Sequence, residues 1–384
     1  MSDLTVSLDV SAVPLKLGGA GYYTLQVAQG LVAQPGIDLT MVSRRDDAPR
    51  WEEVAHGAAA VVPEVPSSRP GRLVFEQLRF HRLLDRLSVQ VHHAPHYTMP
   101  ERAGVPCVVT IHDCTFFDHP EWHVRSKAAL FRRAIRQAAR QAGALICVSQ
   151  VTAERLGASC EVTAPIVVAP HGVDHQRFAP LEPAQGSDQA ILRSLGVPPD
   201  RPLVAFLGTL EPRKGVAPLV AAFDRLADRH PEAVLVLGGQ TGWGLAETER
   251  ALAAASHPER IIRTGYLPDA AVPALLRQAA VVAYPALEEG FGLPALEALA
   301  CGASLVTTEG TAMAEFAGEA AYLVPPGLSD PLAETLSAVL DAGPSSAEAE
   351  RRRHLGIEVA SHHTWAASLA LHLDAYYLAA AASQ

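Results

Sequence analysis

The sequence predicts an α/β protein of two doubly wound domains, each with a parallel sheet between layers of helices. Strand-like runs alternate with amphipathic helix-like runs along the whole chain, which is typical of parallel sheets. A length of 384 residues with 49% hydrophobic residues suits two cores better than one. A polar, proline-rich stretch at 179–202 separates the two alternating series and predicts a linker between domains.

The apolar runs assign strands to both domains. In the first domain, 1–178, they are TVSLDV, DLTMVS, VQVHHA, CVVTIHD, ALICVS and IVVAP. In the second domain, 203–360, they are LVAFLG, AVLVLG, IIRTGY, VVAYPA, SLVTTE and AYLVP. The last segment, 361–384, has a helical pattern and is expected to pack back toward the first domain. Two such domains would place a ligand cleft between the carboxyl ends of their strands.

Composition excludes several classes of function. The formal charge of −10 lies almost wholly in residues 181–384, so we expect no nucleic-acid partner. The five cysteines form no CxxC pair, which argues against disulfides and zinc and fits a reducing cytoplasm. The N-terminus lacks the basic head and apolar core of a secretion signal, and no apolar run approaches the length of a membrane span.

Two carboxylates flank a glycine- and proline-containing loop in EEGFGLPALEALACG, residues 288–302. VVAYPAL before it predicts a buried strand, and PALEALA predicts a helix that begins near Pro294 and ends before Gly302. Glu289 is therefore expected in the loop after the strand, and Glu297 about one turn into the helix. Both would face the strand end, where backbone N–H groups favour an anionic, polyhydroxylated ligand.

Arg213 and Lys214 follow the strand LVAFLG and precede a helix in TLEPRKGVAPLVAAFDRL. Two cations beside the N–H groups of a helix start form a suitable clamp for a diphosphate. A solvated turn is the common alternative for an isolated Arg-Lys pair. The chain has three lysines against 28 arginines, so lysine is not its default cation, which favours a function for Lys214.

Gly18, Gly19 and Gly21 precede a helix in LKLGGAGYYTLQVAQGL, where small residues let a ligand approach the backbone. Thr24 stands where a dinucleotide fingerprint needs its third glycine, so a nicotinamide enzyme is disfavoured, and a plain turn is the alternative. His112 ends the strand CVVTIHD at the same edge of the predicted sheet. It is either a ligand contact or a hydrogen-bonded core residue.

Two further patterns bear on partners. The stretches HHAPH (92–96) and HPEWH (119–123) lack the spacing of a zinc pair with a third ligand, and no Asp-x-Asp occurs, so we expect no metal. The basic helical stretch 124–142 also contains leucine, phenylalanine and isoleucine. It predicts either an ordinary surface helix or a peripheral contact with anionic lipid on the inner face of the membrane.

Together these motifs resemble glycosyltransferase family 4, whose members are retaining, nucleotide-sugar-dependent enzymes of GT-B fold. EGFGLPALE matches the family's E-x7-E motif, its most specific signature. The resemblance runs over most of the chain and includes GGAGYY, IHDCTFFDHPEW, HGVD, GTLEPRKG and GYLPDAAVPALLRQAAVVAYPAL. LGTLEPRK, GGQTGWG and HTWAASLALHLDAYY are similar to bacterial mannosyl- and rhamnosyltransferases of surface polysaccharide assembly.

The resemblance implies four catalytic side chains. Arg213 and Lys214 would bind the donor diphosphate and stabilise it as it leaves, and Glu289 would contact hydroxyls of the donor sugar. His112 would lie against that sugar from the first domain. No cofactor is implied: the nucleotide sugar, GDP-mannose before a UDP-sugar, is a co-substrate, and the acceptor is a saccharide or a lipid-linked saccharide.

Further substrate contacts are also implied by the resemblance. Glu297 would bind the ribose hydroxyls, and backbone groups of the two loops would meet the diphosphate or sugar. The residues concerned, with two more after a strand of the second domain, are Gly19, Gly21, Phe291, Gly292, Leu293, Tyr266 and Leu267. Three positions depart from the subgroup, which often has Asn, a basic residue and Pro there: Gly215, Thr241 and Ala314.

Three other functions stay open from the residues alone. Glu289 and Glu297 could be the acid and nucleophile of a glycoside hydrolase, which would act on oligosaccharides without a nucleotide and leave Arg213 and Lys214 unexplained. A nucleotide-sugar epimerase would act on the donor without an acceptor. A sugar-nucleotide binding protein would bind the donor without turnover.

Overall fold

The computed structural model describes residues 4–15, 17–180 and 187–382. The chain forms two compact units: unit 1 is Met1–Gly172 with Trp365–Gln384, and unit 2 is Val173–Thr364. Each unit is built on a single parallel sheet with helices between its strands, so the predicted fold class is confirmed.

Unit 1 contains a seven-stranded parallel sheet with strand order β3-β2-β1-β4-β5-β6-β7. Its strands are β1 (Leu4–Asp9), β2 (Ile37–Arg44), β3 (Ala60–Val65), β4 (Val91–Ala94), β5 (Cys107–Ile111), β6 (Ala144–Cys147) and β7 (Ile166–Val168). Its helices before residue 172 are α1 (Gly19–Val32), α2 (Ala48–Ala55), α3 (Arg69–Leu78), α4 (Phe80–Leu87), α5 (Thr115–Asp118), α6 (Arg125–Gln141) and α7 (Gln150–Ser159), with a 3-10 turn at Pro120–Trp122.

Strand β3 is the one strand of the described chain that the sequence analysis missed. It reads AVVPEV and lies at the edge of the sheet, where it pairs with β2 only. A proline inside a strand removes a ladder donor and is tolerated at an edge. The partial exposure of β3 also explains why it lacks the continuous apolar run of its buried neighbours.

The sheet of unit 1 is buried on both faces because side chains of each strand alternate between two apolar clusters. In β5, Val109 and Ile111 pack with Phe131 and Ile135 of α6, whereas Val108 packs on the opposite face with Tyr23 of α1. Two-sided burial is what a doubly wound sheet requires, and it accounts for the valine- and isoleucine-rich runs in the sequence.

Unit 2 contains a six-stranded parallel sheet with strand order β10-β9-β8-β11-β12-β13. The strands are β8 (Leu203–Leu207), β9 (Val234–Gly238), β10 (Ile261–Gly265), β11 (Val281–Tyr284), β12 (Leu305–Thr308) and β13 (Ala321–Val324). The helices are α8 (Ser187–Ser194), α9 (Val216–Ala227), α10 (Ala246–Ala254), α11 (Ala271–Gln278), α12 (Leu293–Ala300), α13 (Ala312–Ala317), α14 (Ser329–Ala342) and α15 (Ala347–His362), with 3-10 turns at Pro212–Lys214, Pro258–Arg260 and Gly318–Ala320.

Helix α8 lies inside the stretch 179–202 that the sequence analysis assigned to a linker. It packs on α11, and the carboxylate of Asp188 accepts two 2.7 Å hydrogen bonds from the guanidinium of Arg277. Its Leu192 is fully buried. Part of this stretch is therefore a structured element of unit 2, while residues 181–186 lie outside the described residues.

The last helix, α16 (Trp365–Ala381), returns to unit 1. It buries Ala375, Tyr376 and Ala379 in the same cluster as Tyr23. Gly30 of α1 sits against Leu369, where an added Cβ would lie 2.9 Å from a leucine methyl. The absence of a side chain on Gly30 thus lets the two helices cross closely.

Both sheets reverse their strand order at the same position. β1 pairs with β2 on one side and β4 on the other, and β8 pairs with β9 and β11 in the same way. In open parallel sheets, ligands bind outside the carboxyl ends of the strands at such a switch point. In the described part of the chain, no helix combines the length and apolar character needed to cross a bilayer.

Candidate active site

A cluster of four charged side chains occupies the switch point of unit 2. Lys214, in the turn after β8, donates a 2.7 Å hydrogen bond from Nζ to the Tyr284 hydroxyl at the end of β11, and a second bond to the Glu289 carboxylate. Arg213 donates from Nη1 to the same carboxylate oxygen at 3.2 Å. Its Nε lies 2.5 Å from a carboxylate oxygen of Glu211. The structure therefore brings together Arg213, Lys214 and Glu289 as the sequence predicted.

The turn that carries both cations is fixed to the end of β11 by backbone contacts. The amide of Leu287 donates to the carbonyl of Arg213 at 2.7 Å. Gly215 has φ +67°, and a Cβ there would collide with the carbonyl oxygen of Pro285. Only glycine allows this close approach, which accounts for Gly215 at this position.

The charges of the cluster balance and set the protonation states. Burial alone would raise the pKa of Glu289, but Arg213 and Lys214 hold it at about 2, so this carboxylate is ionised at neutral pH. Burial, and then the charge of Arg213, lowers the pKa of Lys214, while Glu289 and Glu211 oppose that shift. Two cations face two carboxylates, so an arriving anion must take over contacts that Glu289 now makes.

Tyr284 is a member of this cluster that the sequence analysis did not single out. Its ring stacks on Phe206 with centroids 5.7 Å apart, and its hydroxyl accepts from Lys214 while lying 3.5 Å from Glu289. Burial, and then the charge of Glu289, raises the pKa of Tyr284 well above its usual value. The sequence did offer a signal for Tyr284. It is the tyrosine that ends a strand of valine and alanine just before the E-x7-E motif.

The start of α12 adds backbone donors beside Glu289. Gly292 precedes the helix with φ +99°, and a Cβ there would collide with Met313 and lie 3.6 Å from Cγ of Glu289. Within the described residues, no acceptor is present for the N–H groups of Gly292 and Leu293, as expected at a helix start. Such N–H groups favour an anion or a sugar oxygen.

Phe291 anchors this loop through its side chain. Its ring is buried and lies 5.2 Å from the ring of Phe316. The predicted substrate contact of Phe291 is a backbone one, and burial of the ring fixes the position of that backbone.

Glu297 lies one turn into α12, with surroundings unlike those of Glu289. Burial raises its pKa to about 7, and only the more distant charge of Arg177 opposes this. Arg177 donates to the backbone oxygen and the carboxylate of Asp269 at 3.1 and 3.3 Å. Both glutamates contribute to the raised pKa of Tyr284, Glu289 more than Glu297. Glu211 and Arg177 are further charged neighbours that the sequence analysis did not name.

Tyr266 and Leu267 follow β10 and differ in exposure. Leu267 is buried at 6% exposure and packs against the end of β9 at Gly238, whereas Tyr266 is 64% exposed. Leu267 therefore fixes this loop, and the Tyr266 ring is accessible. Their predicted substrate contacts stay predictions.

His112 lies in unit 1 directly after β5. Its Nε2 donates a 2.8 Å hydrogen bond to the carbonyl of Pro95, since a carbonyl can only accept. Burial lowers the pKa of His112, so the ring is neutral at pH 7 and its Nδ1 carries a lone pair. The ring of Tyr23 meets it edge-on at 5.0 Å. His112 can therefore accept a hydrogen bond at Nδ1 but cannot offer a second donor.

The two predicted glycines of α1 have different surroundings in unit 1. A Cβ at Gly19 would meet no atom within 4 Å, so a ligand could approach this residue. A Cβ at Gly21 would lie 3.2 Å from Leu17 and 3.4 Å from Val13, so glycine at this position is explained by packing of the preceding loop. The expected diphosphate contacts of Gly19 and Gly21 both stay predictions.

The histidines of the stretch 92–96 in unit 1 bond to its interior residues. His92 bonds to the Ser7 hydroxyl at 2.9 Å, and His93 bonds to Tyr376 and Thr110, each at 2.8 Å. No three histidine, cysteine or carboxylate side chains among the described residues lie close enough together to hold a metal ion.

Two family profiles match the chain. The profile of "Glycosyltransferase Family 4" covers residues 17–177, and that of "Glycosyl transferases group 1" covers residues 187–356. Together the two profiles place the chain with the family 4-like glycosyltransferases. Each profile corresponds to one of the two sheets, so the similarity extends to both halves of the chain.

Individual relatives agree with this family. The chain is 27% identical over 240 residues to the O-antigen chain mannosyltransferase B of Escherichia coli, covering 62% of this chain and 61% of that protein. It is 39% identical over 173 residues to the D-inositol 3-phosphate glycosyltransferase of Corynebacterium jeikeium, covering 42% and 40%. The matched region thus spans less than two thirds of either relative.

Among solved structures, a sucrose-phosphate synthase from Thermosynechococcus elongatus superimposes with a TM-score of 0.79. The match covers 99% of this chain and 100% of that one, at 20% identity. At that identity the likeness shows the fold alone, which is GT-B.

Proposed function

We propose that this chain is a retaining glycosyltransferase that moves a hexose from a nucleoside-diphosphate sugar to a saccharide or lipid-linked saccharide. GDP-mannose is the favoured donor and a UDP-sugar the next, since one relative is named a mannosyltransferase. The observation that carries the proposal is the cluster of Arg213, Lys214 and Glu289 at the switch point of unit 2.

Departure of a nucleoside diphosphate concentrates negative charge on its phosphate oxygens. Arg213, Lys214 and the N–H groups at the start of α12 supply fixed positive charge for those oxygens. Because the backbone holds this turn in place, little reorganisation is needed when the charge develops. These groups could supply the charge that a divalent ion supplies elsewhere, so we propose metal-independent transfer.

The reaction breaks the bond between C1 of the sugar and the phosphate oxygen, and the electron pair leaves with the diphosphate. The acceptor oxygen forms its bond to C1 on the same face, and its proton passes to the departing phosphate oxygen. The ionised Glu289 accepts hydrogen bonds from sugar hydroxyls, and Glu297 accepts from the ribose hydroxyls. In unit 1, Nδ1 of neutral His112 remains able to accept a hydrogen bond from a hydroxyl group.

One observation favours a glycoside hydrolase as a second candidate. Glu289 is ionised above about pH 2, and Glu297 has a pKa of about 7. Glycoside hydrolases use such a pair of carboxyl groups as nucleophile and acid. Glu289, however, is paired with both Arg213 and Lys214, which reduces its strength as a nucleophile. A hydrolase also has no use for that cation pair, so the transferase is preferred.

The first experiment is a thermal-shift panel of GDP, UDP, ADP, dTDP and NAD, with magnesium and with EDTA. A nucleotide at about 100 times its Kd stabilises the protein by roughly 2.7 kcal/mol, which is measurable. We expect one nucleoside diphosphate to act equally with and without magnesium, and Lys214→Ala to abolish the shift. Lys127→Ala, which removes an exposed lysine of unit 1, is the matched control. A shift by oligosaccharides and by no nucleotide would instead support the hydrolase.

We also propose cytoplasmic placement with peripheral membrane contact through 124–142. Val124 is 71% and Leu130 41% exposed on or beside α6, next to exposed Arg125 and Lys127. Lys127 lies over the rings of Phe116 and Phe131 at 5.8 and 5.7 Å, while Arg133 pairs with Glu101 and Arg140 with Glu161. Co-sedimentation with phosphatidylglycerol vesicles should exceed that with phosphatidylcholine vesicles, and equal binding would count against this contact.

A further inference from the structure

A short segment near the start of unit 2, residues 174–179, holds Arg177 in a fixed position. The carboxylate of Asp174 accepts hydrogen bonds from the amides of Gln176 and Arg177 at 3.0 and 3.2 Å, which closes a tight turn. Phe178 is 1% exposed, and the guanidinium carbon of Arg177 lies 4.9 Å from the centre of its ring. Both contacts fix the backbone from which the Arg177 side chain extends.

The Arg177 side chain connects this segment to the loop after β10. Its Nη2 donates hydrogen bonds to the backbone oxygen and the carboxylate of Asp269 at 3.1 and 3.3 Å. The carboxylate is 86% exposed, so water weakens that bond more than the bond to the backbone oxygen. The same loop carries Tyr266 and Leu267, two of the predicted substrate contacts. Arg177 therefore holds this loop by its main chain.

The segment also lies beside α12, on the face that carries Glu297. The backbone of Ala179 is a hydrogen-bond neighbour of the Cys301 thiol, and Cys301 lies four residues after Glu297 in the helix direction. Residues four apart share a helix face, so Glu297 also faces the segment. Within the described residues, the Glu297 carboxylate makes no hydrogen bond and no ion pair. It stays open to a ligand while Arg177 lies near it.

The guanidinium of Arg177 acts on Glu297 through its charge. Burial raises the pKa of Glu297 to about 7, and the charge of Arg177 opposes that rise. Nε of Arg177 is buried and has no hydrogen-bond partner in the described part of the chain. An unpaired buried donor costs stability, so hydrogen bonding alone does not explain an arginine at this position.

The other ionisable groups around α12 are paired, exposed or distant from Glu297 along the helix. They are Tyr284 and Glu289 with Lys214, Arg277 of α11 with Asp188 of α8, Glu315 of α13, Arg353 of α15 beside Gly302, His363 near Phe291, and the buried thiol of Cys301.

We propose that Arg177 is a positioning residue for the nucleotide, which holds the loop 266–269 through Asp269 and supplies the positive charge beside which ionised Glu297 receives the ribose hydroxyls. This deepens the proposed function and rests on it for the nucleotide. Arg177 acts through Glu297 and the loop, and it contacts neither the phosphates nor the reacting sugar. It should therefore govern donor binding and the pH dependence of that binding, and leave the transfer step unchanged.

Replacing Arg177 by Met should weaken nucleotide binding in two separable ways. Without the cation Glu297 ionises at higher pH, so the midpoint of the pH dependence of Kd should move up by at least about half a pH unit. Loss of the bond to Asp269 should add a weakening of roughly threefold to tenfold at every pH. Arg177→Gln keeps a donor for Asp269 without the charge and should show mainly the shifted midpoint. Arg177→Lys keeps the charge and should keep the native midpoint.

Isothermal titration of the full chain with the nucleoside diphosphate found by thermal shift, from pH 5.5 to 9, measures both effects. Arg229→Met is the matched control: Arg229 also pairs with a carboxylate, that of Asp341, but is 68% exposed and lies before β9 at the amino ends of the strands. In a Glu297→Gln background, Arg177→Met should weaken binding equally at every pH, because the titrating group is gone. With the donor sugar, Arg177→Met should raise KM and leave kcat within about twofold.

The pKa of Glu297 gives a readout that needs no nucleotide. Carbon-13 NMR of the free protein with labelled glutamate carboxyl groups, where Glu297→Gln identifies the signal, should show a higher pKa in Arg177→Met and Arg177→Gln than in the native chain and Arg177→Lys. An equal pKa in all four proteins, an unshifted pH profile of Kd, or a loss of kcat at unchanged KM would overturn the proposal. If the native protein binds no nucleoside diphosphate, the proposed function fails, while the NMR titration still judges the coupling of Arg177 to Glu297.

Discussion

At the residue scale, Glu289 and Glu297 lie on either side of one helix start, yet their surroundings shift their pKa values in opposite directions. Burial raises both, but Glu289 is also in contact with two cations, and Glu297 is opposed only by Arg177. Two similar carboxyl groups are therefore suited to different tasks. Glu289 is a permanent anion that orients Arg213 and Lys214, and Glu297 can change charge near neutral pH.

Replacing Glu289 by Gln should keep the size of the side chain and remove the charge that positions Lys214 and Arg213. We expect kcat to fall by about 100- to 1,000-fold, the usual loss when one preorganised charged group is removed. Steady-state kinetics with the donor found by thermal shift would measure this. Glu309→Gln, at an exposed carboxylate of unit 2, should retain full activity. Equal activity of the two variants would remove Glu289 from the site.

Glu297 should make nucleotide affinity depend on pH. With a pKa of about 7, its ionised form is scarce at pH 6 and dominant at pH 8. If the carboxylate accepts both ribose hydroxyls, the Kd of the nucleoside diphosphate should fall by roughly tenfold from pH 6 to pH 8. Isothermal titration of the native protein and Glu297→Gln isolates this group, because titration of the ligand phosphate affects both proteins. Parallel pH profiles would contradict the prediction.

At the element scale, the turn after β8 depends on one glycine. Gly215→Ala combines an unfavourable positive φ with a collision against Pro285, so the turn and Lys214 should move away from β11. Gly196 also has positive φ, at +73°, but a Cβ there meets no atom within 4 Å. Gly196→Ala should therefore cost only about 1–2 kcal/mol of strain and keep activity. We expect Gly215→Ala to lose more activity than its lower free energy of unfolding can explain. Urea unfolding and kinetics on the same samples would measure both.

Helix α16 is attached to unit 1 by a directed chain of buried hydrogen bonds. The chain runs through Tyr376, His93, Thr110, Tyr23 and His372. Its direction is set at one end, because Nδ1 of His372 lies 2.7 Å from the Ser368 carbonyl and must donate to it. Nε2 of His372 then accepts from Tyr23, whose hydroxyl oxygen accepts from Thr110. Thr110 in turn accepts from Nε2 of His93, and Nδ1 of His93 accepts from Tyr376. The chain fixes one neutral tautomer for each histidine.

Tyr376→Phe tests this chain of hydrogen bonds. The substitution removes the hydroxyl that donates to Nδ1 of His93 and leaves a buried acceptor without a partner. The free energy of unfolding should fall by about 1–3 kcal/mol. Tyr377→Phe, at the next position and 48% exposed, should change it by less than about 0.5 kcal/mol. Urea titrations followed by circular dichroism would measure both, and equal losses would contradict this account.

At the scale of the whole molecule, the sequence predicted the architecture because continuous apolar runs and the residues that begin and end helices are local signals. The edge strand β3 was missed because Pro63 and partial exposure hide its pattern. Glu289, Arg213 and Lys214 could be placed together because the carboxyl ends of parallel strands meet at one edge. The role of Tyr284 and the hydrogen-bond chain of α16 could not be predicted, since each depends on contacts between residues far apart in sequence.

The two units should respond oppositely to acid. His92 and His372 of unit 1 are fully buried, and burial lowers the pKa of each to about 4, whereas an unfolded histidine titrates near 6.5. The unfolded state therefore binds more protons between pH 6.5 and 4, so unit 1 loses stability as pH falls through this window. From pH 7.5 to 5.5 the loss is about 1.4 kcal/mol for each histidine.

In unit 2 the sign is reversed at Glu297, whose folded pKa of about 7 exceeds the unfolded value, so acidification through pH 7 favours the folded state. Hydrogen exchange with mass spectrometry at pH 7.5 and 5.5, corrected for intrinsic rates, reports each unit through its own peptides. We expect protection in the β4 and α16 peptides to fall at pH 5.5 while that of β11 and α12 holds. His372→Gln should reduce the fall in unit 1 alone, and equal losses in both units would show that burial of these histidines does not govern the acid response.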